Sequence, residues 1–134
     1  TAPAAINRTA RLAEGWLGTP SSTPQQAKEQ LNQYRQACAE HQRKPSAVAL
    51  RRDIFIGASV REAEEFRSHA VAKGYRGFPE DALICGDISK VATQFAELFE
   101  AGFTDIIVRN MASDQGQALA TIEALSDVKR QLRL

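Results

Sequence analysis

The sequence predicts an α/β fold in which short parallel strands alternate with helices, and three observations carry that expectation. Apolar residues recur at helical spacing in five stretches, short apolar or β-branched runs stand between them, and glycine, proline or a small polar residue punctuates the junctions. Strands separated by helices pair in parallel through right-handed crossovers.

The elements follow in order. Pro3 suits a first helical turn, where its missing N–H costs nothing, and Ile6, Ala10 and Ala13 continue at helical spacing. Gly15 stops that helix, and Trp16-Leu17-Gly18 reads as a short buried strand. After a polar loop at residues 19–22, Thr23-Pro24 supplies a cap and an N1 proline. Ala27, Leu31, Tyr34 and Cys38 then form one stripe, and the helix must end before Pro45. Residues 48–56, Val-Ala-Leu-Arg-Arg-Asp-Ile-Phe-Ile, are the strongest strand in the chain. Ser59, with Glu62 three residues on, predicts a capping box for a helix carrying Ala63, Phe66 and Ala70. Residues 74–79, Gly-Tyr-Arg-Gly-Phe-Pro, read as an irregular loop. Asp87 or Ser89 caps the next helix, whose apolar face is Val91, Phe95, Leu98 and Phe99 and which ends at Gly102. Ile106-Ile107-Val108 is a short β-branched strand, and Asp114 begins a last helix with Ala118, Ile122, Leu125, Val128 and Leu132.

Three strands make a small parallel sheet, which needs both faces covered and leaves two bare edges. A closed β/α barrel takes eight such units and about 250 residues. Three units in 134 residues are a little under half of one, and residues 1–134 have the size of a single domain. The chain opens at Thr1 rather than Met, which leaves a removed leader or a piece of a longer protein; the organisation favours the second.

Composition narrows the function classes. Apolar residues are 43% and charged residues 25%, ordinary for a soluble globular chain. The net charge of +1 arises from 17 basic and 16 acidic residues mixed along the sequence, which points away from a nucleic-acid surface or a membrane patch. No apolar run has the length of a membrane span, and no signal-peptide pattern opens the chain. Cys38 and Cys85 lack partner spacing and read as buried thiols in a reducing cytoplasm. His41 and His69 have no second ligand at metal spacing, so no metal site is expected. Neither a Gly-x-Gly-x-x-Gly nor a P-loop motif is present.

Four stretches in fixed order carry a family resemblance. They are the helix and strand from Ala4 to Leu17 with Glu14-Gly15-Trp16; His41-Gln42-Arg43-Lys44-Pro45; Arg51-Arg52-Asp53-Ile54-Phe55-Ile56 followed by Glu62-Ala63; and Cys85-Gly86-Asp87 followed by Ala101-Gly102-Phe103-Thr104-Asp105 and Ile106-Ile107-Val108-Arg109. In this order they resemble the C-terminal part of the bacterial luciferase-like monooxygenases, β/α-barrel enzymes that use reduced FMN or, in one branch, the deazaflavin F420. Gln42 stands where the family has the glycine of its Gly-Arg-x-Pro break, and the glycine pair that precedes the first helix has no counterpart. By this resemblance residues 1–134 are a single partial TIM-type (β/α)8-barrel domain, and the strands are the sixth, seventh and eighth of the barrel. The first five, with most of the flavin contacts, lie outside the chain.

The resemblance implies a flavin-dependent monooxygenase or oxidoreductase acting on a small organic substrate, with FMN (alternatively F420), dioxygen, a flavin reductase and further copies of the chain, as in a dimer, for partners. The alternative is a non-catalytic partial barrel that folds by homo-oligomerisation or by pairing with a missing N-terminal part. Alternation places Arg51, Asp53 and Phe55 on one face of their strand and Arg52 on the other. The resemblance places polar residues of this strand in the flavin and substrate cavity, making Arg51, Asp53 and Arg109 catalytic candidates. A structural ion pair is the competing reading for Arg51 or Arg52, and a capping or loop-fixing role competes for Arg109 and Asn110. Gly18, Thr19, Asn110 and Arg76 are the cofactor-binding candidates; Tyr75, Arg76 and Phe78 either close over a bound flavin, as the resemblance implies, or form an ordinary connection, the reading their length favours.

Overall fold

One long strand carries all the others. The computed structural model describes residues 2–133. Five helices, α1 (Pro3–Leu12), α2 (Pro24–Glu40), α3 (Val60–Ala72), α4 (Ile88–Ala101) and α5 (Gln115–Leu132), alternate with four strands, β1 (Gly15–Gly18), β2 (Ala47–Ile56), β3 (Leu83–Gly86) and β4 (Asp105–Asn110). All pairings are parallel, and β1, β3 and β4 each pair with β2. Residues 49–54 of β2 pair with β4, residues 47–50 with β1 and residues 53–56 with β3. Ala49 and Asp53 therefore have a partner on both sides, so β1 and β3 lie end to end along the edge of β2 opposite β4. Arg51 and Arg52 fall in the seam between them.

The fourth strand corrects the expectation of three. Leu83-Ile84-Cys85-Gly86 is buried at every position and spans only four residues. Such a run has no alternation to read, because a strand covered on both faces has no polar face. Its outward edge is closed by a side chain: Arg67 of α3 donates to the carbonyls of Leu83 and Cys85 at 3.5 and 3.3 Å. An edge satisfied in this way offers no template for a further strand.

Helix ends follow local chemistry. Thr23 and Gln26 form a reciprocal capping box at α2, with Pro24 at its first position. Asp87 caps α4 and Asp114 caps α5. At α3 the Ser59 hydroxyl accepts from Glu62 N, but the Glu62 carboxylate accepts from Ala58 N at 2.7 Å, one residue before the cap. The expected box is therefore displaced by one position. Gly102 terminates α4 with φ of 114°, and an added Cβ would run into the Arg35 guanidinium, which donates to the carbonyls of Ala101 and Gly102.

The two sheet faces differ sharply. In-register neighbours share a face, so Trp16, Val48, Leu50, Ile54, Ile56, Ile84 and Ile106 point one way. They form the main core with Ile6, Leu31, Tyr34, Val91, Phe95 and Val128 from α1, α2, α4 and α5. On the other, inner face a smaller cluster of Phe55, Ala63, Tyr75, Ala82, Leu83 and Cys85 covers only the C-terminal half of β2. Nearer the N-terminal end that face is bare, with Leu17 54% and Ile107 48% exposed.

Leu50→Ala should cost about 2–5 kcal/mol, because it leaves a cavity under the helical layer. Leu17→Ala on the bare face should change stability by less than about 0.5 kcal/mol. Urea unfolding followed by circular dichroism separates the two, and equal losses would mean that the inner face is packed.

Candidate functional site

The inner face brings three of the sequence-derived candidates together. Asp53 is in register with Arg109 of β4, and Arg51 with Ile107, so Arg51, Asp53 and Arg109 occupy one surface. The Arg51 and Arg109 side chains make no hydrogen bond or ion pair among the described residues; Arg51 is half-buried and Arg109 exposed. Arg52 points to the opposite face and is 1% exposed, with Nη1 donating to Pro20 O at 3.4 Å. Burial pushes its guanidinium below the ordinary arginine value, while the charges of Tyr75, Asp81 and Asp53 act in the opposite direction. A carboxylate partner was one expectation for this residue; a backbone carbonyl is what it reaches.

Asp53 is fully buried, and its Oδ2 accepts from the Tyr75 hydroxyl at 3.1 Å and from the Arg76 guanidinium. Its Oδ1 has no partner among the described residues. The donors arrive on a strained turn. Gly74, Tyr75, Arg76 and Gly77 have φ of 84°, 39°, 53° and 73°, four left-handed residues in succession. For Tyr75 and Arg76 that conformation costs roughly 1–3 kcal/mol each, which the surroundings must offset. Asp53 is one such anchor. Phe78 is another, because the Arg76 guanidinium lies 4.5 Å from its ring centroid and Tyr75 meets it edge-on at 5.7 Å. The residues expected as an irregular loop thus form a 3-10 turn, Tyr75–Gly77, tied to the centre of the sheet.

Burial, and then the Asp53 charge and hydrogen bond, push the Tyr75 phenol up to about 12. Tyr34, on the buried side of α2, is also pushed up to about 12, first by burial and then by Cys38. The Cys85 thiol is raised by burial and donates to Ala63 O at 3.2 Å. A thiol held this way is a packing group rather than a nucleophile.

The remaining candidates stand apart. The Asn110 amide donates to Ala118 O at 2.9 Å and accepts from Ala112 N at 3.1 Å, fixing the turn into α5. Thr19 organises its own loop through Ser21 Oγ at 2.9 Å and Ser22 Oγ at 3.0 Å. Gly18 lies on the helix-covered face, where an added Cβ would meet Leu50 Cδ1 at 2.8 Å. A cavity of about 590 Å³ lies at the C-terminal ends of β2 and β3, lined by Gly57, Glu62, Asp87, Asp114 and Gln117 among others. Its three carboxylates already serve backbone N–H groups, and none of the inner-face arginines reaches it. No metal-ligating cluster occurs among the described residues, and no described helix is long and apolar enough to cross a membrane.

No protein-family model matches the sequence, and no curated protein matches it at significance. Solved structures do match its fold. Monooxygenase RslO1 from Streptomyces bottropensis superposes with a TM-score of 0.77 at 16% identity, covering 98% of this chain and 46% of its own. An F420-dependent secondary alcohol dehydrogenase, solved with an F420-acetone adduct, gives 0.69 at 12% identity, covering 94% and 46%. The oxygenating constituent of 3,6-diketocamphane monooxygenase from Pseudomonas putida, solved with FMN, gives 0.66 at 16% identity, covering 90% and 43%. The expected parallel α/β architecture of a partial barrel is therefore the one found, and the chain spans less than half the length of each of these three proteins.

A pH titration tests the Tyr75–Asp53 contact. Both phenols hold their protons more tightly in the folded chain than the ordinary 10.0. The stability they contribute is complete below pH 10 and is lost as pH rises from 10 through about 12. Asp53→Asn should lower the Tyr75 value without restoring 10, since burial is the larger cause. Ultraviolet tyrosinate titration reads this directly, and an unchanged curve would mean that Tyr75 does not sense Asp53.

Proposed function

We infer that the chain supplies the C-terminal part of a flavin-dependent oxidoreductase of the luciferase-like monooxygenase kind. The observation that carries the reading is the inner face. On a fold shared with FMN- and F420-linked enzymes, it presents two arginines without a partner among the described residues, beside a buried carboxylate. In a β/α barrel this face lines the interior, and chemistry gathers at the C-terminal ends of the strands.

The donor set fits an anionic planar cofactor. Arg51 and Arg109 offer charge and planar hydrogen-bonding edges, and Arg76, anchored by Asp53 and exposed on its outer side, adds a third guanidinium. Against these three guanidiniums the same face carries two carboxylates, Asp53 and, in register with Ala49, Asp105, so one positive charge is left over, which favours FMN, the anionic F420 or an anionic small substrate. Arg51 and Arg109 would hold and orient the ligand, while Phe78 and Tyr75 would keep water from the face that Asp53 closes. When bound, reduced FMN supplies dioxygen activation, and F420 supplies hydride exchange.

A second reading has its own support. The bare inner face around Leu17 and Ile107, and the exposed Val108, Leu119 and Ile122 beside β4, suit a partial barrel completed by another copy of the chain.

Titration of the purified chain with oxidised and reduced FMN, read by flavin fluorescence, tests the first reading. Arg109→Ala or Arg51→Ala should weaken binding on the order of tenfold with an unchanged melting temperature, a loss of about 1.4 kcal/mol. In the intact enzyme the same variants should lower turnover more than stability. Equal loss of stability, with normal turnover in the folded fraction, would sink a catalytic role. Mass from light scattering tests the second reading: a dimer without flavin affinity favours it, and a folded monomer counts against it.

A further inference from the structure

The geometry points to an internal water site in the seam of the sheet, held between Arg52 and Gln94. It is independent of the flavin reading. The seam arises because β1 pairs with β2 only as far as Leu50 and β3 only from Asp53 onward. On that edge residues 51 and 52 have no partner strand, and the Arg52 side chain fills the space beneath, on the helix-covered face. Its Nη1 reaches Pro20 O in the loop that follows β1. Its Nη2 is buried and has no partner among the described residues, and the same holds for Gln94 Oε1 on α4.

These two atoms belong to residues lining one cavity of about 40 Å³, bounded also by Pro24 and Lys28 of α2, by Asp81 and Ile84, and by Glu97 and Leu98 of α4. That space has room for a few water molecules. The chemistry selects the occupant. Arg52 Nη2 donates only, which excludes a cation, and Gln94 Oε1 accepts only, which excludes an anion. Around them Arg52 and Lys28 balance Asp81 and Glu97, so no net charge attracts an ion. A molecule that accepts from one atom and donates to the other satisfies both, and water does so in a single heavy atom. Leaving both groups bare in a buried site would cost about 1–3 kcal/mol each, more for the charged one. The water thus lets an ionised arginine sit inside the sheet and splints the junction where β1 hands its edge of β2 to β3.

A crystal structure of the chain at about 1.5 Å or better should show an ordered oxygen within hydrogen-bonding distance of both Arg52 Nη2 and Gln94 Oε1. A dry cavity, a direct Arg52–Gln94 hydrogen bond, or a bromide bound there after soaking would each overturn the proposal. In solution, nuclear Overhauser cross-peaks between water and the Arg52 guanidinium protons should be present in the folded chain and lost in folded Gln94→Leu. Their absence from the parent chain, or their persistence in the variant, would overturn it as well.

Discussion

The ladder of β2 is the constraint on which the rest of the structure depends. Its ten residues hold β1, β3 and β4, none of which pairs with another strand among the described residues. A central parallel strand shared by three partners is buried along most of its length, and its C-terminal six residues include Arg52 and Asp53 at almost no exposure. Ionic groups in such a place must be satisfied by what surrounds them, because the solvent that would screen them is gone. The sheet resolves its three consecutive charges in three ways. Arg51 stays at the open inner face, Arg52 reaches a loop carbonyl through the seam, and Asp53 is gripped by a turn from across the chain.

That grip couples the sheet to the most strained segment of the molecule. Two non-glycine residues in the left-handed region, between two glycines, persist only where tertiary contacts over-determine them. The phenol and guanidinium of that turn meet one carboxylate oxygen, and a phenylalanine ring backs the guanidinium. Strain, a buried acid and a cluster of arginines on one face are the features that make this surface, rather than the larger cavity at the helix N-termini, the centre of the functional reading. In that cavity the carboxylates already accept from backbone N–H groups and have little left to offer a ligand.

The fold is lopsided. Helices cover the outer face and build the main core, while the inner face is packed only where α3 and the 3-10 turns close over it. Exposed leucine and isoleucine on a sheet face, and strand β4, whose far edge pairs with no described strand, mark a parallel sheet that is not closed on itself. The chain superposes on less than half the length of three longer proteins of this fold.

By itself the sequence determined the five helices, the caps of α2, α4 and α5, the long strand and the parallel α/β class, because these rest on periodicity and on residues such as Thr23, Asp87, Asp114 and Gly102 that act on their own neighbours. Its alternation also set which charges of β2 share a face, since side-chain direction in a strand is a local property. The tertiary structure alone decided the rest. Strand β3 is too short and too uniformly buried to show a pattern, and the end-to-end sharing of one edge of β2 has no local signature. The meeting of Tyr75 and Arg76 with Asp53 joins residues more than twenty positions apart. Nothing in the Gly-Tyr-Arg-Gly stretch announces that partner, because hydrogen bonds across a fold are chosen by which surfaces pack together.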